Sequence, residues 1–446
     1  MRIKFLGATR EVTGASILVE TSGVKILLDC GFWQGYKLAE ERNYADFVFD
    51  PKQIDFVVIC HAHLDHVGRL PKLVREGFGG KIFCTAPTKA LMNLVLDDNL
   101  KLMSEEAKRD NHIPLYFDED IARVMELVET IVYDKPLEIL QRVKLTLKNA
   151  GHILGSSVAV LESGVKTLAY TSDLGNNPSQ LLAAPDIVEK ANYLICESTY
   201  GGRIHENAAK RGAKLAKIIN TTVAQNGVLM IPTFAIERAQ ELLHDIDHYC
   251  QEGNCALPSF FLDSPLAIKV TSVFDKYKEF LKPGLHLEHD GNIFGTTRVK
   301  ITNTVDESKA IDLAPNPKII IAGSGMLNGG RILYHLKNYL GDEKNTLLIV
   351  GYQAYGTLGR RLLDGDKEVK IFGKKYAVRA NVLAIGSYSA HADKPQLISW
   401  ISKIKGLKRI FLVHGEAVQS VSLSKSIAQE LRYDVDIPQQ NEEYEL

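Results

Sequence analysis

No stretch of this chain stays apolar for the length a bilayer span requires, and its first residues show no short apolar core with a small-residue cleavage site. Neither a membrane protein nor an exported one is expected, and the cytoplasm is the expected compartment. A basic excess is also missing: 53 Lys and Arg stand against 54 Asp and Glu, a formal net charge of -1. Bulk attraction to a polyanion therefore cannot hold this protein on nucleic acid. Bound divalent cations can still supply positive potential at one place. Cysteine is scarce, with six in 446 residues, and most sit in or beside apolar runs, so they read as buried thiols. Cys250 and Cys255 lie close together, but no second pair accompanies them, and a structural zinc there is not expected. Low-complexity tracts and solenoid repeats are absent from the pattern as well.

What is present is the composition of a globular chain, 45% hydrophobic and 24% charged, long enough for two or three domains. The first part reads as strands with short connections: Lys4–Leu6, Ser16–Glu20, Val24–Leu28, Ile54–Cys60, Val143–Leu147 and Lys166–Tyr170, with helical spacing over Lys89–Met103. From about Glu206 helices alternate with β-branched apolar runs: Ala208–Ala224, Val228–Pro232, Glu237–His248, Ser259–Leu262, Lys318–Ala322 and Thr346–Val350. That texture predicts a parallel sheet covered on both faces. After about Arg379 short strands return, at Val382–Ile385 and Ile410–Val413. One α/β domain inserted into another is the expected organisation, with divisions at 1–205, 206–378 and 379–446. The acidic tail from Asn441 to Leu446 is expected to fray.

The densest chemistry is Cys60-His61-Ala62-His63-Leu64-Asp65-His66-Val67-Gly68, directly after a buried strand candidate. Four potential ligands in six residues cannot all enter a core, since unpaired polar groups are costly there. A strand ending in a tight turn can aim His61 and His63 at one point, and Asp65 with His66 at a second point nearby. Imidazole with carboxylate suits Zn²⁺, Mn²⁺ or Fe²⁺ better than Mg²⁺ or Ca²⁺. One loop cannot saturate two metals. The segments Ala150-Gly151-His152 and Thr171-Ser172-Asp173-Leu174-Gly175, each following a strand, are candidates for the remainder. Either one alone would be an ordinary polar turn.

Together these segments resemble the metal-binding motifs of the metallo-β-lactamase superfamily, whose fold is an αββα sandwich. The resemblance implies that His61, His63 and His152 hold one metal, that Asp65 and His66 hold the other, and that Asp173 bridges them. Asp29, which ends the apolar run before Cys30 and Gly31, matches the residue that orients ligand histidines from behind. Further segments resemble the β-CASP branch, whose members cut nucleic acids and carry an inserted, doubly wound α/β domain. Ile195-Cys196-Glu197-Ser198-Thr199 looks like its motif A, Ser389-Ala390-His391-Ala392-Asp393 like motif B, and Val413-His414-Gly415-Glu416 like motif C. The resemblance covers essentially the whole chain, in the expected order. It points to ribonucleases related to the nuclease subunit of the eukaryotic cleavage and polyadenylation machinery. A histidine at motif C accompanies RNA cleavers, so His414 implies RNA and completes the second metal's ligands.

The expected function is therefore hydrolysis of single-stranded RNA by a dizinc hydrolase, with Mn²⁺ as an alternative ion, cutting internally and possibly also from the 5′ end. Asp65 orients the attacking water, His391 protonates the leaving 3′-oxygen, and Glu197 fixes the His391 ring. The segment Gly323 to Met326, with Ser324 and Gly325, precedes helix-like sequence and can offer backbone N–H groups to a phosphate, with Arg331 or Arg360 nearby. Trp33, in Phe32-Trp33-Gln34-Gly35, is expected to line the substrate groove. A homodimer is compatible with the sequence, which does not require one. The rival readings are a DNA nuclease, another hydrolase of the same fold acting on small esters or thioesters, and an RNA-binding scaffold without catalysis.

Overall fold

The computed structural model describes residues 1–35, 37–140, 142–251, 258–285 and 299–446. The expectation about Cys250 and Cys255 concerns side chains outside these described residues. The chain divides into two compact units, Met1–Ile204 with His391–Leu446, and His205–Ala390. Among the described residues no helix is long and apolar enough to cross a membrane.

The first unit is built on two seven-stranded sheets. One runs in the order Glu443–Glu445, Arg2–Phe5, Ile17–Thr21, Val24–Leu28, Phe56–Val58, Lys81–Cys84, Val128–Thr130. The other runs Val435–Asp436, Arg409–Val413, Tyr193–Glu197, Lys166–Tyr170, Ser157–Ser163, Val143–Asn149, Leu137–Ile139. Their facing side chains make one core, in which Phe5, Ile26 and Val58 meet Leu161, Tyr170, Ile195 and Phe411. The outer face of the second sheet is covered by the helices Lys394–Ile401 and Ala417–Glu430, through Leu397, Trp400, Leu423 and Ile427. On the first sheet, helix Ala86–Asp110 contacts the edge strand Val128–Thr130 and helix Asp118–Leu127 its neighbour Lys81–Cys84. Helix, sheet, sheet and helix give the expected αββα sandwich.

Parallel pairing inside these sheets is what gathers the turns that carry the candidate ligands. Val24–Leu28 runs parallel to Phe56–Val58, with Leu28 opposite Val58, so the turns carrying Asp29 and His61 leave the sheet side by side. Lys166–Tyr170, Tyr193–Glu197 and Arg409–Val413 are likewise parallel neighbours, with Tyr170 opposite Ile195 and Glu197 opposite Val413. Asp173, Glu197 and His414 therefore emerge at adjacent carboxyl ends.

Two expectations about the chain's last third do not hold. The tail does not fray: Glu443–Glu445 pairs antiparallel with Arg2–Lys4. Tyr444 packs edge-on against Phe5 and Phe411, so burial of one aromatic ring, joined by the Arg2–Glu443 ion pair, outweighs the acidic composition. The strand at Asn381–Ala384 does not return to the first unit. It runs parallel to Thr346–Ile349 and forms an edge of the second unit's sheet, so the chain re-enters the first unit at His391 and not near Arg379.

That second sheet has six strands, all parallel, in the order Val299–Ile301, Ser259–Asp263, Lys318–Ala322, Val228–Pro232, Thr346–Ile349, Asn381–Ala384. Met230, Phe261, Ile320 and Leu347 on one face pack with Ile332, Leu336 and Leu362 of the covering helices. The alternating residues Leu229, Ile231, Ile319 and Ile321 face the other way and are equally buried, which is why these strands read as unbroken apolar runs. This is the doubly wound arrangement expected.

Candidate metal centre

Asp29 is a buried residue in the left-handed region, with φ of 57°. Asp adopts that conformation more readily than most residues, and here long-range bonds hold it. Its Oδ1 accepts from Cys60 N at 2.9 Å. Its Oδ2 lies 2.8 Å from His66 Nδ1 and accepts from Tyr170 Oη at 2.8 Å and Ser172 Oγ at 3.0 Å. A carboxylate held by that many donors fixes the His66 ring and leaves Nε2 pointing away from it, toward Asp173 and His414.

Two groups of side chains then converge. In the first, His61 Nε2 and His152 Nε2 lie 3.1 and 3.2 Å from His63 Nδ1, and each lies 3.4 Å from Asp173 Oδ2. In the second, His414 Nε2 lies 3.2 Å from Asp65 Oδ2 and 3.3 Å from His66 Nε2. Asp173 reaches both groups, with Oδ2 3.5 Å from His66 Nε2 and Oδ1 3.3 Å from His414 Nδ1. The ligand atoms of His61, His63, His152 and Asp173 all lie within 4.8 Å of one another, as do those of Asp65, His66 and His414. A third such group joins Asp173 and His414 to His391.

The donor set fits a divalent cation at each cluster. Ring nitrogens face ring nitrogens, an arrangement in which neutral imidazoles cannot all donate to one another. Asp173 is buried, and its Oδ1 makes no hydrogen bond, a costly state for a carboxylate oxygen that a cation would relieve. Without metal, burial and the neighbouring His66 hold the His61 pKa well below the usual imidazole value, and burial pulls His63 down to about 4. For His66, burial is outweighed by Asp173, Asp29 and Asp65, and its pKa is raised. Asp173 is held well below the carboxylate range because His414, His66 and His61 outweigh its burial. A neutral imidazole and an ionised carboxylate are the forms that ligate metals.

Beside the clusters, His391 Nδ1 lies 3.2 Å from both oxygens of Glu197 and 4.0 Å from Asp173 Oδ2. Glu197 is buried, and its Oε1 accepts from Leu174 N at 2.6 Å. The His391 side chain is 15% exposed, so it opens toward solvent from a buried carboxylate.

All the metal-ligand candidates named from the sequence are thus brought together, along with Asp29, Glu197 and His391. The groove candidates are placed differently. Arg331 Nη1 bonds Asp263 Oδ1 at 2.7 Å and the Thr302 carbonyl at 3.0 Å, and Nη2 bonds the Asn303 carbonyl. Arg360 Nε bonds both oxygens of Asp364. Ser324 Oγ exchanges bonds with the Gly329 backbone, and Gly325 packs against Phe234. Trp33, expected in a groove, is 4% exposed, with the Arg42 and Arg69 guanidinium groups 4.4 and 4.0 Å from its ring centroid. Several residues escaped the sequence reading. Ser172 touches His61 Nδ1 at 3.2 Å as well as Asp29, and Thr199 Oγ1 lies 3.1 Å from His414 Nδ1. Both stood inside quoted motifs, but a hydroxyl next to a ligand carries no signal of its own.

Comparison with known proteins agrees with this geometry. Residues 18–198 match the metallo-β-lactamase superfamily domain, 239–362 the β-CASP domain, and 375–438 the zinc-dependent metallo-hydrolase RNA specificity domain. A protein of Thermus thermophilus named as a ribonuclease is 39% identical over 430 residues, 96% of each chain. An RNase J-like protein of Methanocaldococcus jannaschii is 35% identical over 441 residues, 98% of this chain and 97% of that one. The transcription termination factor FttA of the same organism is 33% identical over 456 residues, 98% of this chain and 70% of the factor. A protein of unknown function from Enterococcus faecalis V583 shares the fold, with a TM-score of 0.53 over 99% of both chains at 11% identity. With its candidate ligands at these strand ends and two relatives, at 39% and 35% identity, alike along nearly their whole length, the chain belongs to the β-CASP branch of the metallo-β-lactamase superfamily.

Proposed function

We propose that the chain is a two-metal ribonuclease that hydrolyses phosphodiester bonds of single-stranded RNA, leaving 5′-phosphate and 3′-hydroxyl ends. The observation that carries this reading is that Asp173 is shared between two ligand clusters, one of three imidazoles and one of Asp65, His66 and His414. When bound, a pair of divalent cations, zinc by preference for this imidazole-rich set, supplies a water of lowered pKa and offsets charge on the phosphoryl oxygens. Asp65, partly exposed beside His414, would help hold the second cation and orient the water it supplies. His391 delivers a proton from Nε2 to the leaving 3′-oxygen, its Nδ1 being directed at Glu197. RNA as substrate is supported by His414 at motif C, by the match to an RNA specificity domain, and by relatives named as ribonucleases. The cytoplasm as the place of action is supported by four buried free thiols, Cys30, Cys60, Cys84 and Cys196.

The test is cleavage of one end-labelled RNA, beside the matched DNA strand, by wild-type and His391→Ala proteins of measured metal content. Removing the general acid should lower the rate by about 10²–10⁴-fold while both cations stay bound. Wild-type turnover by a metal-replete His391→Ala protein, or preference for the DNA strand, contradicts the proposal.

A further inference from the structure

The ligands of the second cluster come from turns that are hundreds of residues apart in sequence, Asp65 with His66 and His414. What joins them is a third segment that supplies no ligand. Ala8 O accepts from His414 N at 2.7 Å and Glu11 O accepts from Gly415 N at 3.1 Å, while at its other end Ala15 N donates to Asp65 O at 2.8 Å. Ala15 O accepts from Gly31 N, and Gly14 N donates to Phe32 O, tying the segment to the strand end that carries Asp29. His414 sits at a φ of 47°, a left-handed backbone that a β-strand exit does not adopt without outside support. Gly31 lies so close to the Asp65 carbonyl that a Cβ there would approach it to 1.6 Å, so this junction has no slack.

We propose that the segment from Ala8 to Ala15 is a brace that sets the spacing between Asp65, His66 and His414, and that Glu11 is its positioning residue. The inference rests on the two-metal reading above. Glu11 fixes the middle of the brace: Arg42 donates to both its oxygens at 2.9 Å, and Trp33 Nε1 donates to Oε1 at 3.2 Å. Trp33 is in turn held by Gly14, whose hypothetical Cβ would lie 2.4 Å from Trp33 Nε1. It is held as well by Arg69, which follows Asp65 and His66 by one helical turn and bonds Gly31 O through Nε at 2.8 Å. The Glu11 carboxylate thus connects, through Arg42, Trp33 and Arg69, to the turn bearing Asp65, while its own backbone carbonyl supports the turn bearing His414. The pair is bidentate and charge-assisted, which adds directional fixing to the backbone bonds of the segment.

The experiment is zinc titration of the metal-stripped full chain by calorimetry. Wild type should bind two zinc ions, with one step lost in His152→Ala and the other in His414→Ala. Glu11→Ala and Arg42→Ala should each weaken the His414-dependent step about tenfold, leaving the His152-dependent step within about twofold. Glu11→Gln, which keeps one oxygen toward Arg42 and Trp33, should recover part of the loss. Such a site-selective pattern is not produced by general loosening of the fold, which weakens both steps. If Glu11→Ala and Arg42→Ala bind both ions as wild type does, or lose both equally, the brace is wrong. If wild type binds fewer than two, the two-metal reading fails and takes the brace with it.

Discussion

Glu197 commits both carboxylate oxygens to one ring nitrogen, 3.2 Å away in each case, while Oε2 also accepts from Thr199 N at 3.3 Å. That geometry assigns a proton to His391 Nδ1 and leaves Nε2 for substrate. Burial pulls the His391 pKa down, but Glu197 and Asp173 outweigh it and hold it above the usual value. Glu197→Gln keeps an acceptor for Nδ1 but removes the charge, so the ring loses its hold on the proton. We expect kcat to fall about a hundredfold with KM little changed and both cations retained. Elemental analysis and steady-state rates check it, and unchanged kcat would remove Glu197 from the mechanism. At this scale the ligand candidates stand out in the sequence because His61, His63, Asp65 and His66 fall within six residues, too dense for a core. Glu11 was not legible, since its partner Arg42 stands 31 positions away and nothing local marks the pair.

Elements were legible where burial on both faces makes a continuous apolar run. Val24–Leu28, Lys166–Tyr170, Val228–Pro232 and Lys318–Ala322 stand where their sequence suggests. Partnership was harder: Asn381–Ala384 is a recognisable strand, but its period does not say which sheet it joins, and hydrogen bonding to Thr346–Ile349 decides it. The carboxyl end of Ser259–Asp263 shows how such a sheet is pinned. Asp263 accepts from Ser308 Oγ at 2.6 Å, Arg331 Nη1 at 2.7 Å and Thr302 Oγ1 at 2.5 Å, and lies 2.7 Å from His335 Nε2. Burial raises its pKa, but bonds from His335, Ser308, Thr302 and Arg331 outweigh that and lower it to about 2. A depressed carboxylate stabilises the fold above its unfolded value and loses that contribution as pH falls through the folded one. Hydrogen-exchange protection of Lys318–Ala322 should therefore be flat near neutrality and fall between about pH 4 and pH 2. Asp263→Asn should weaken this acid dependence and cost about 1–3 kcal/mol at neutral pH, because the buried carboxylate that gathers Arg331, Ser308, Thr302 and His335 is lost, while Arg331 is half-buried and keeps two backbone carbonyls. Protection that follows the same acid profile in wild type and variant would assign the effect elsewhere.

The whole molecule carries a formal net charge of only -1, yet its first unit gathers Asp29, Asp65, Asp173 and Glu197 beside six imidazoles at one end of a sandwich. Such a concentration of ligand atoms is unfavourable without cations, since Asp173 keeps a buried oxygen with no hydrogen bond and the histidines face one another. Under the two-metal proposal, cation binding is folding energy for that unit alone, because the second unit, among its described residues, contributes no member to the clusters. With free zinc a hundredfold above its dissociation constant, each site adds about 2.7 kcal/mol to the folded state. Chelation should therefore abolish cleavage and accelerate hydrogen exchange in Lys166–Tyr170 and Arg409–Val413, the strands that lead into Asp173 and His414. Exchange in Val228–Pro232 and Lys318–Ala322, two central strands of the other sheet, should stay as it was. Zinc added back should restore the protected strands and cleavage together. Were both units to loosen alike on chelation, or neither, the cations could not be integral to the first unit's fold, and its crowded imidazoles would need another explanation.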